Sequence, residues 1–189
     1  MAGQATQTRR RGDTRGEIQR AALSRFTDQG YDKTSLREIA EDLGVTKAAV
    51  YYHFRSKEEI LESLVREMAD SLEALLDWAR AQTPSREVRL ELLRRLAAAT
   101  SGGLGDTMRC VQQNELALAS MPSTVDLVHR YKQELWKVAT PPDATVEQKL
   151  RVRLAIMAIL LVNHGSADLG GTAAERQEAA QRIAADVII

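Results

Sequence analysis

Hydrophobic residues recur at helical spacing along most of the chain. In the first segment Ile18, Ala22 and Phe26 lie one turn apart, and apolar positions keep that spacing over residues 60–76. The clearest short set occupies positions i, i+3, i+4 and i+7: Leu36, Ile39, Ala40 and Leu43. No segment alternates between apolar and polar residues over the length of a strand. The pattern predicts an all-α fold.

Polar capping residues, glycines and prolines mark where these helices begin and end. Ser/Thr-x-x-Glu/Gln boxes precede five apolar segments: Thr14–Glu17, Ser35–Glu38, Ser56–Glu59, Thr145–Gln148 and Thr172–Glu175. Gly30 and Gly44 end the first two helices. These signals predict about nine helices: residues 14–29 and 36–43, a short helix from Thr46, and then 56–81, 85–101, 105–120, 123–139, 145–168 and 172–188.

Composition narrows the class of protein. The 189 residues are 44% hydrophobic and 28% charged, so the chain can form a packed core. A single cysteine excludes an internal disulfide and a thiolate zinc cluster. The longest apolar run, residues 154–162, is too short to cross a bilayer, and the N-terminus carries no secretory signal. We therefore expect a cytoplasmic protein with no membrane partner.

The net charge of zero hides an asymmetry. The first 57 residues carry 11 Lys and Arg against 7 Asp and Glu, whereas the remainder carries 15 against 19. Residues 1–13 include Arg9-Arg10-Arg11 in a polar, Gly-containing stretch, which predicts a flexible basic arm. Such an arm attracts a polyanion through counterion release, although a solvated tail without function is the alternative.

Residues 14–57 have the outline of a three-helix unit. The second and third helices are joined by Gly44-Val45-Thr46, a turn of about three residues, as in a helix-turn-helix. Seven apolar side chains are expected to pack beneath the first helix: Leu36, Ile39, Ala40, Leu43, Val45, Val50 and Phe54. The face left over on the third helix carries Lys47, Ala48, Ala49, Tyr51, Tyr52 and His53.

The chemistry of this face suits a nucleotide duplex. Thr46 can cap the helix, and Ala49 stands at N3, where a glutamate would repel a phosphate. Ala48 allows close approach to a major groove, and Lys47 can reach a base edge or a phosphate. The same reasoning adds phosphate contacts from the two tyrosines, His53 and Lys57, and a guanine or phosphate contact from Arg37. The alternative is that these aromatic residues are plain core and surface of a small bundle.

The stretches over residues 30–40 and 43–61 resemble the DNA-binding domain of the TetR family of transcriptional regulators. The run Val50-Tyr51-Tyr52-His53-Phe54, followed by Ser56-Lys57-Glu58, is characteristic of that family, and the match covers roughly residues 14–61. The resemblance implies a regulator, most often a repressor, that binds a palindromic operator as a homodimer. It also implies an effector pocket in the C-terminal domain.

Carried over residue by residue, the resemblance implies ten DNA-contacting positions: Thr34, Ser35, Arg37, Thr46, Lys47, Ala48, Tyr51, Tyr52, His53 and Lys57. Many relatives have glycine or proline where this chain has Ala48, so the preferred base sequence stays open. Beyond residue 61 the chain resembles the family only in its helical layout.

Residues 58–189 are expected to bind an effector and to form the dimer. The predicted 145–168 helix is apolar nearly all round over residues 154–162, and the 172–188 helix is rich in alanine. Two such pairs related by a two-fold axis would make a four-helix interface, whereas a buried hairpin in a monomer is the alternative. A single reading unit also covers too few base pairs for useful specificity.

Helices between residues 58 and 140 carry methionine and tryptophan on apolar faces that polar groups interrupt. This combination is typical of a small-molecule pocket, although plain core is a common alternative. Seven residues are candidates for its lining: Met68, Leu72, Leu96, Met108, Gln112, Glu115 and Tyr131.

No enzyme signature is present, and we expect no catalytic residue, metal or cofactor. Cys110 is interpreted as an inert buried thiol rather than a redox sensor, and His129 and His164 lack partners at metal-ligand spacing. The leading hypothesis is a ligand-responsive repressor. A constitutive DNA-binding dimer without a ligand, and an all-α ligand-binding protein or enzyme that shares only the helical layout, are the alternatives.

Overall fold

The computed structural model describes residues 11–162 and 169–189, and these residues form helices and connecting turns without a strand. The predicted all-α fold is confirmed. Ten helices lie in these ranges: α1 (Arg11–Asp28), α2 (Leu36–Asp42), α3 (Lys47–His53), α4 (Lys57–Arg80), α5 (Arg86–Thr100), α6 (Gly103–Gln113), α7 (Glu115–Leu118), α8 (Pro122–Ala139), α9 (Val146–Leu161) and α10 (Ala173–Val187). The predicted arm at residues 1–13 falls largely outside the described ranges.

The chain divides into two compact units between Leu64 and Val65. The division lies within α4, and the first two turns of this helix group with the first unit. Ile60 and Leu61, in those turns, are fully buried. No helix among the described residues has the length and apolar character that crossing a membrane requires.

The core of the first unit joins α1 to the helix-turn-helix. Phe26 of α1, Ile39 of α2 and Val50 of α3 are each fully buried, and so is Phe54 just after α3. The Phe26 ring centroid lies 5.1 Å from that of Tyr31. Burial of side chains of this size stabilises a fold by roughly 1.5–3 kcal/mol each. Of the other positions expected in this core, Leu36 and Ala40 are buried, whereas Leu43 and Val45 are only half-buried.

Three of the five predicted capping boxes are present with both hydrogen bonds: those at Ser35, Thr145 and Thr172. At Ser56 only half of the box forms. Its hydroxyl accepts from the Glu59 amide at 3.3 Å, but the Glu59 carboxylate accepts from the Arg55 amide instead. The predicted box at Thr14 is wrong, because α1 already begins at Arg11 and Thr14 lies inside the helix.

The second unit packs α5, α9 and α10 against one another. Leu92 and Leu96 of α5, Ile156 of α9 and Ala184 of α10 are almost completely buried. The Arg86 guanidinium also donates to the carbonyl of Ala185 at 2.9 Å. Burial of these apolar faces holds the three helices together.

The single helix predicted over residues 105–120 is two helices, α6 and α7. The interruption lies at Asn114, whose side-chain amide donates to the Cys110 carbonyl at 2.8 Å. Asparagine side chains compete with the backbone for hydrogen bonds in this way, which disfavours a continuous helix. Helix α9 ends at Leu161, and the rest of the predicted 145–168 segment beyond residue 162 lies outside the described residues.

Candidate nucleic-acid interface and ligand cavity

The turn between α2 and α3 sets the direction of α3. Gly44 has φ of 60°, a left-handed conformation that glycine adopts without steric cost. The Gly44 amide donates to the Glu41 carbonyl at 3.1 Å, and the Val45 amide donates to the Ala40 carbonyl at 3.0 Å. These bonds satisfy the last carbonyls of α2 and allow α3 to begin two residues later.

Helix α3 has one buried face and one exposed face. The Thr46 hydroxyl accepts from the Ala49 amide at 3.2 Å, so the predicted cap is confirmed. Val50 is fully buried on the inner face, whereas Tyr51 is 45% exposed and Tyr52 is 70% exposed. Tyrosine is enriched at interfaces because its ring is apolar and its hydroxyl can form a hydrogen bond.

The exposed face of α3 also carries a cation and a small residue. Lys47 and Ala48 are both exposed, and the Lys47 ammonium lies 5.3 Å from the Tyr51 ring centroid. His53 is half-buried, and its ring meets Tyr52 edge-on with centroids 5.2 Å apart. No acidic residue lies in the first turn of α3. We call the exposed residues Thr46, Lys47, Ala48, Tyr51 and Tyr52 the α3 face.

Arg15 of α1 supports the C-terminal end of α3, a role that the sequence did not indicate. Its guanidinium donates to the His53 carbonyl at 3.2 Å and lies 4.1 Å from the Phe54 ring centroid. A cation at a helix C-terminus is favourable because of the helix dipole. Finding this contact requires knowing that α1 and the end of α3 are neighbours.

The predicted α2 residues are exposed but engaged within the unit. The Ser35 hydroxyl donates to the Glu38 carboxylate at 2.7 Å, and the Arg37 guanidinium pairs with Glu41 at 2.8 Å. Arg37 keeps 77% of its side chain exposed, so exchanging Glu41 for a phosphate costs little. Both residues stay predicted DNA contacts.

Thr34 and Lys57 have clear structural roles. Thr34 is only 3% exposed, and its hydroxyl donates to the Gly30 carbonyl at 3.0 Å. The Lys57 ammonium donates to the Tyr31 carbonyl at 2.8 Å and to the Asp32 carbonyl at 3.3 Å, and it lies 4.2 Å from the Tyr31 ring centroid. These contacts tie the start of α4 to the turn after α1, so DNA contact from either residue stays a prediction with weaker geometric support.

The second unit contains a mostly apolar cavity of about 240 Å³ between helices α4, α6, α7, α8 and α9. Six of the seven predicted lining residues face it: Met68, Leu72, Met108, Gln112, Glu115 and Tyr131. The seventh, Leu96, is fully buried and does not line this cavity. The lining also includes Trp136, one of the tryptophans on the predicted apolar faces, and seven residues that the sequence did not indicate: Val111, Val128, Lys132, Leu135, Ile156, Met157 and Leu160.

A polar network adjoins one wall of the cavity. Burial and a hydrogen bond to Glu73 raise the pKa of Tyr131. Hydrogen bonds from Arg80 and from Tyr131 lower the pKa of Glu73. The Arg80 guanidinium bonds Glu73 at 2.8 Å and Glu134 at 2.9 Å, and therefore links α4 to α8. A ligand that contacts Tyr131 would therefore contact a member of this hydrogen-bond network.

A row of aliphatic side chains lies exposed on α9. Leu150, Leu154, Met157 and Leu161 follow one another at helical spacing and are each 48–55% exposed. We call these four residues the α9 stripe. Ile183 on α10 is 55% exposed as well. A contiguous apolar surface of this kind is typical of a protein interface.

The other residues considered for chemistry lie outside the α3 face and the cavity lining. Cys110 is fully buried, and His129 is exposed. His164 lies outside the described ranges. Within those ranges no group of three or more His, Cys, Asp and Glu side chains is arranged to hold a metal ion.

The first unit has the geometry of a helix-turn-helix domain. The sequence profile of the family described as "Bacterial regulatory proteins, tetR family" matches residues 18–64, which cover α2, α3 and the packed parts of α1 and α4.

Relatives of known function match over part of the chain. The chain is 36% identical over 58 residues to the HTH-type transcriptional repressor KstR2 of Mycolicibacterium smegmatis, covering 31% of this chain and 28% of that protein. It is 37% identical over 76 residues to the HTH-type transcriptional regulator TtgR of Pseudomonas putida, covering 40% and 35%. The matched stretches thus span about a third of the length of these relatives.

The fold likeness extends over nearly the whole chain. The solved structure of the ketosteroid transcriptional regulator KstR2 of Mycobacterium tuberculosis superposes with a TM-score of 0.73 at 25% identity, covering 98% of this chain and 95% of that one. Residues 18–64 thus resemble the TetR family of bacterial regulatory proteins, and nearly the whole chain shares the fold of the KstR2 regulator.

Proposed function

We propose that this protein is a cytoplasmic, homodimeric transcriptional repressor that binds a palindromic operator and is released from it by a small molecule. The observation that carries the proposal is the α3 face, a capped and exposed surface of cationic, small and hydroxyl-bearing residues. Relatives of the DNA-binding unit are named transcriptional repressors, which supports the direction of the regulation.

The α3 face fits the major groove by size and by chemistry. Ala48 lets the helix backbone approach base edges, and Lys47 can contact a base edge or a phosphate. The Tyr51 and Tyr52 hydroxyls donate to phosphate oxygens at the rim of the groove. The first turn of α3 has no acidic residue, so its amides remain compatible with a phosphate.

The α9 stripe supports a homodimer. Leu150, Leu154 and Leu161 expose about half of their surface in the single chain, and a second copy related by a two-fold axis would cover them. Dimerisation presents two α3 faces, which can enter successive major grooves of a palindrome.

The cavity supports control by a ligand. Helix α4 contributes Lys57 to the DNA-binding unit and Met68 and Leu72 to the cavity lining, and it is continuous between them. A shift of α4 is therefore the proposed lever between ligand and operator. By linkage, a ligand releases the operator only if it binds the DNA-free conformation more tightly than the DNA-bound one.

The direct test is operator selection followed by a salt titration. Duplexes selected from a random pool by the full-length protein are expected to be palindromic, and the logarithm of their affinity is expected to fall linearly with the logarithm of salt concentration. Selection of no duplex, or an affinity that salt does not change, would remove every DNA-binding interpretation of the chain.

A thermal-shift screen of small molecules separates the ligand-responsive repressor from a constitutive dimer. Saturating stabilisation by a compound that also weakens operator binding is the expected result. Stabilising compounds that leave operator affinity unchanged, or a screen without any stabilising compound, would favour the constitutive dimer.

A further inference from the structure

An open groove of about 640 Å³ in the second unit is lined by cations. It lies between the C-terminal part of α8 and the N-terminal part of α9. Its lining contains Lys137, Lys149 and Arg153, together with the side chains of two prolines, a threonine, a glutamine and Trp136, and no carboxylate. Lys137 pairs with the Glu134 carboxylate at 3.6 Å, and Glu134 also pairs with Arg80.

Trp136 connects this groove to the apolar cavity, because it lines both. The Arg153 guanidinium lies 4.5 Å from its ring centroid and the Lys132 ammonium lies 5.0 Å from it. Lys132 lines the cavity and Arg153 lines the groove. The indole therefore sits at the junction with one cation on each side of the boundary, held there by cation–π attraction.

The residues that α9 contributes change from cationic at the groove to apolar at the cavity. Lys149 and Arg153 line the groove, and Ile156, Met157 and Leu160 line the cavity one to two turns further on. Helix α8 runs the opposite way, since residues 128–136 line the cavity and residues 133–140 line the groove. The two spaces thus lie end to end along the α8–α9 pair, one apolar and one cationic.

The geometry points to an amphipathic anion as the effector: a molecule with an apolar body in the cavity and a carboxylate or phosphate head group at Lys149 and Arg153. This inference rests on the proposed function, because it names the chemical class of the ligand that would occupy the same cavity. An uncharged apolar ligand would leave the cations unused, and a cationic one would be repelled by them.

The test compares four probes that share a ten-carbon chain: decanoate, decyl phosphate, decanol and decyltrimethylammonium. Their affinities for the full-length protein are measured by calorimetry below their aggregation concentrations. Both anions are expected to bind at least tenfold more tightly than decanol, and decyltrimethylammonium to bind no better than decanol. The ratio of the two anions' affinities distinguishes a carboxylate site from a phosphate site.

The fluorescence of Trp136 tests whether the probe binds at the junction of cavity and groove. In a Trp78→Phe background, Trp136 is the remaining tryptophan, so its fluorescence should change on titration with either anion and saturate at the calorimetric affinity. An unchanged Trp136 signal despite calorimetric binding would overturn the assignment to this junction.

Charge removal from the groove completes the test. Lys149→Gln combined with Arg153→Gln should weaken decanoate binding about tenfold and leave decanol unchanged. Arg151→Gln combined with Arg182→Gln removes the same charge from residues outside both linings, which pair instead with Glu147 and Glu178, and should change neither affinity.

Equal binding of all four probes, an anion preference that survives loss of Lys149 and Arg153, or no binding of any probe would each overturn the inference. Operator binding without ligand is measured on the same preparation. If one of these results is obtained and the operator is still bound, the inference about the ligand has failed but the proposed DNA binding has not. If the operator is not bound either, the proposed function has failed as well.

Discussion

The α3 face and the α9 stripe both expose large side chains, but their chemistry differs. The α3 face carries Tyr51 and Tyr52, whose rings end in hydroxyls, beside the cation of Lys47. The α9 stripe carries leucine and methionine, which have no group to donate a hydrogen bond. The α3 face suits a negatively charged partner across an interface that contains water. The α9 stripe is stabilised only by an apolar partner that excludes water. Exposure alone therefore does not identify a partner, whereas the polar ends of the exposed residues do.

The largest expected effect comes from placing a charge in the α9 stripe. Leu154→Glu should abolish the dimer, because an unpaired carboxylate buried in an apolar interface costs about 3 kcal/mol or more. Operator affinity should then fall by roughly a hundredfold, since 1.4 kcal/mol corresponds to tenfold. Sedimentation velocity reports the dimer, and fluorescence anisotropy reports the operator.

Arg151→Glu is the matched control for that substitution. It adds a carboxylate to the same helix at a position outside the stripe, and the dimer should persist. A Leu154→Glu protein that stays dimeric would contradict the assignment of this surface.

Truncations on the α3 face should weaken operator binding without changing assembly. Lys47→Ala and Tyr52→Ala should each cost about 1–3 kcal/mol in operator affinity. Tyr52→Phe separates the hydroxyl from the ring, because it removes only the phosphate hydrogen bond. If a variant dimerises and binds the operator as tightly as the wild type, the substituted residue is not a DNA contact.

Lys57→Met should act mainly on stability and so contrast with Lys47→Ala. The Lys57 ammonium holds the Tyr31 and Asp32 carbonyls, and a hydrogen bond of a charged group contributes about 1.5–3 kcal/mol. Because Lys57 is only half-buried, we expect a loss near the lower end of that range. The free energy of unfolding in urea measures it. If Lys57→Met unfolds like the wild type but binds operator weakly, Lys57 acts on DNA alone.

The smallest expected effect is a pH dependence within the helix-turn-helix. A hydrogen bond from Arg25 lowers the pKa of Asp42 below its ordinary value of 3.8, with Nη2 and Oδ1 2.7 Å apart. Stability from this pair is thus present above pH 3.8 and is lost as the pH falls through the lowered pKa. Asp42→Asn should be less stable than the wild type at pH 7, and the difference should shrink at pH 3. A difference that does not depend on pH would exclude the ion pair as its source.

The sequence predicts those features that depend on short spacing. Helix α2, with its cap at Ser35 and its end at Gly44, follows from local signals alone. Six cavity residues were found because methionine, leucine and interrupting polar groups mark inward faces. In the same way, the exposed face of α3 follows from Val50 being buried one turn away from Thr46.

Features that depend on packing between distant segments could not be predicted. The role of Lys57 depends on the turn after α1 lying beside the start of α4, 25 residues or more away in sequence. Lys132 lines the cavity through the packing of α8 along it, which its residue type alone does not indicate. Leu96 has the same residue type and spacing as lining residues, yet the packing of the second unit places it in the core away from the cavity.

Because Cys110 is buried, the rate at which its thiol is labelled can report on opening of the structure around it. A thiol with no exposed surface reacts with an alkylating reagent only when the structure around it opens. The rate of labelling at the chain's one cysteine therefore measures the opening of the second unit, and a molecule lodged among Met108 and Val111, on the same helix, should slow it. A cysteine introduced elsewhere on the surface would label first, which leaves the molecule ready for dye attachment without removal of its natural thiol.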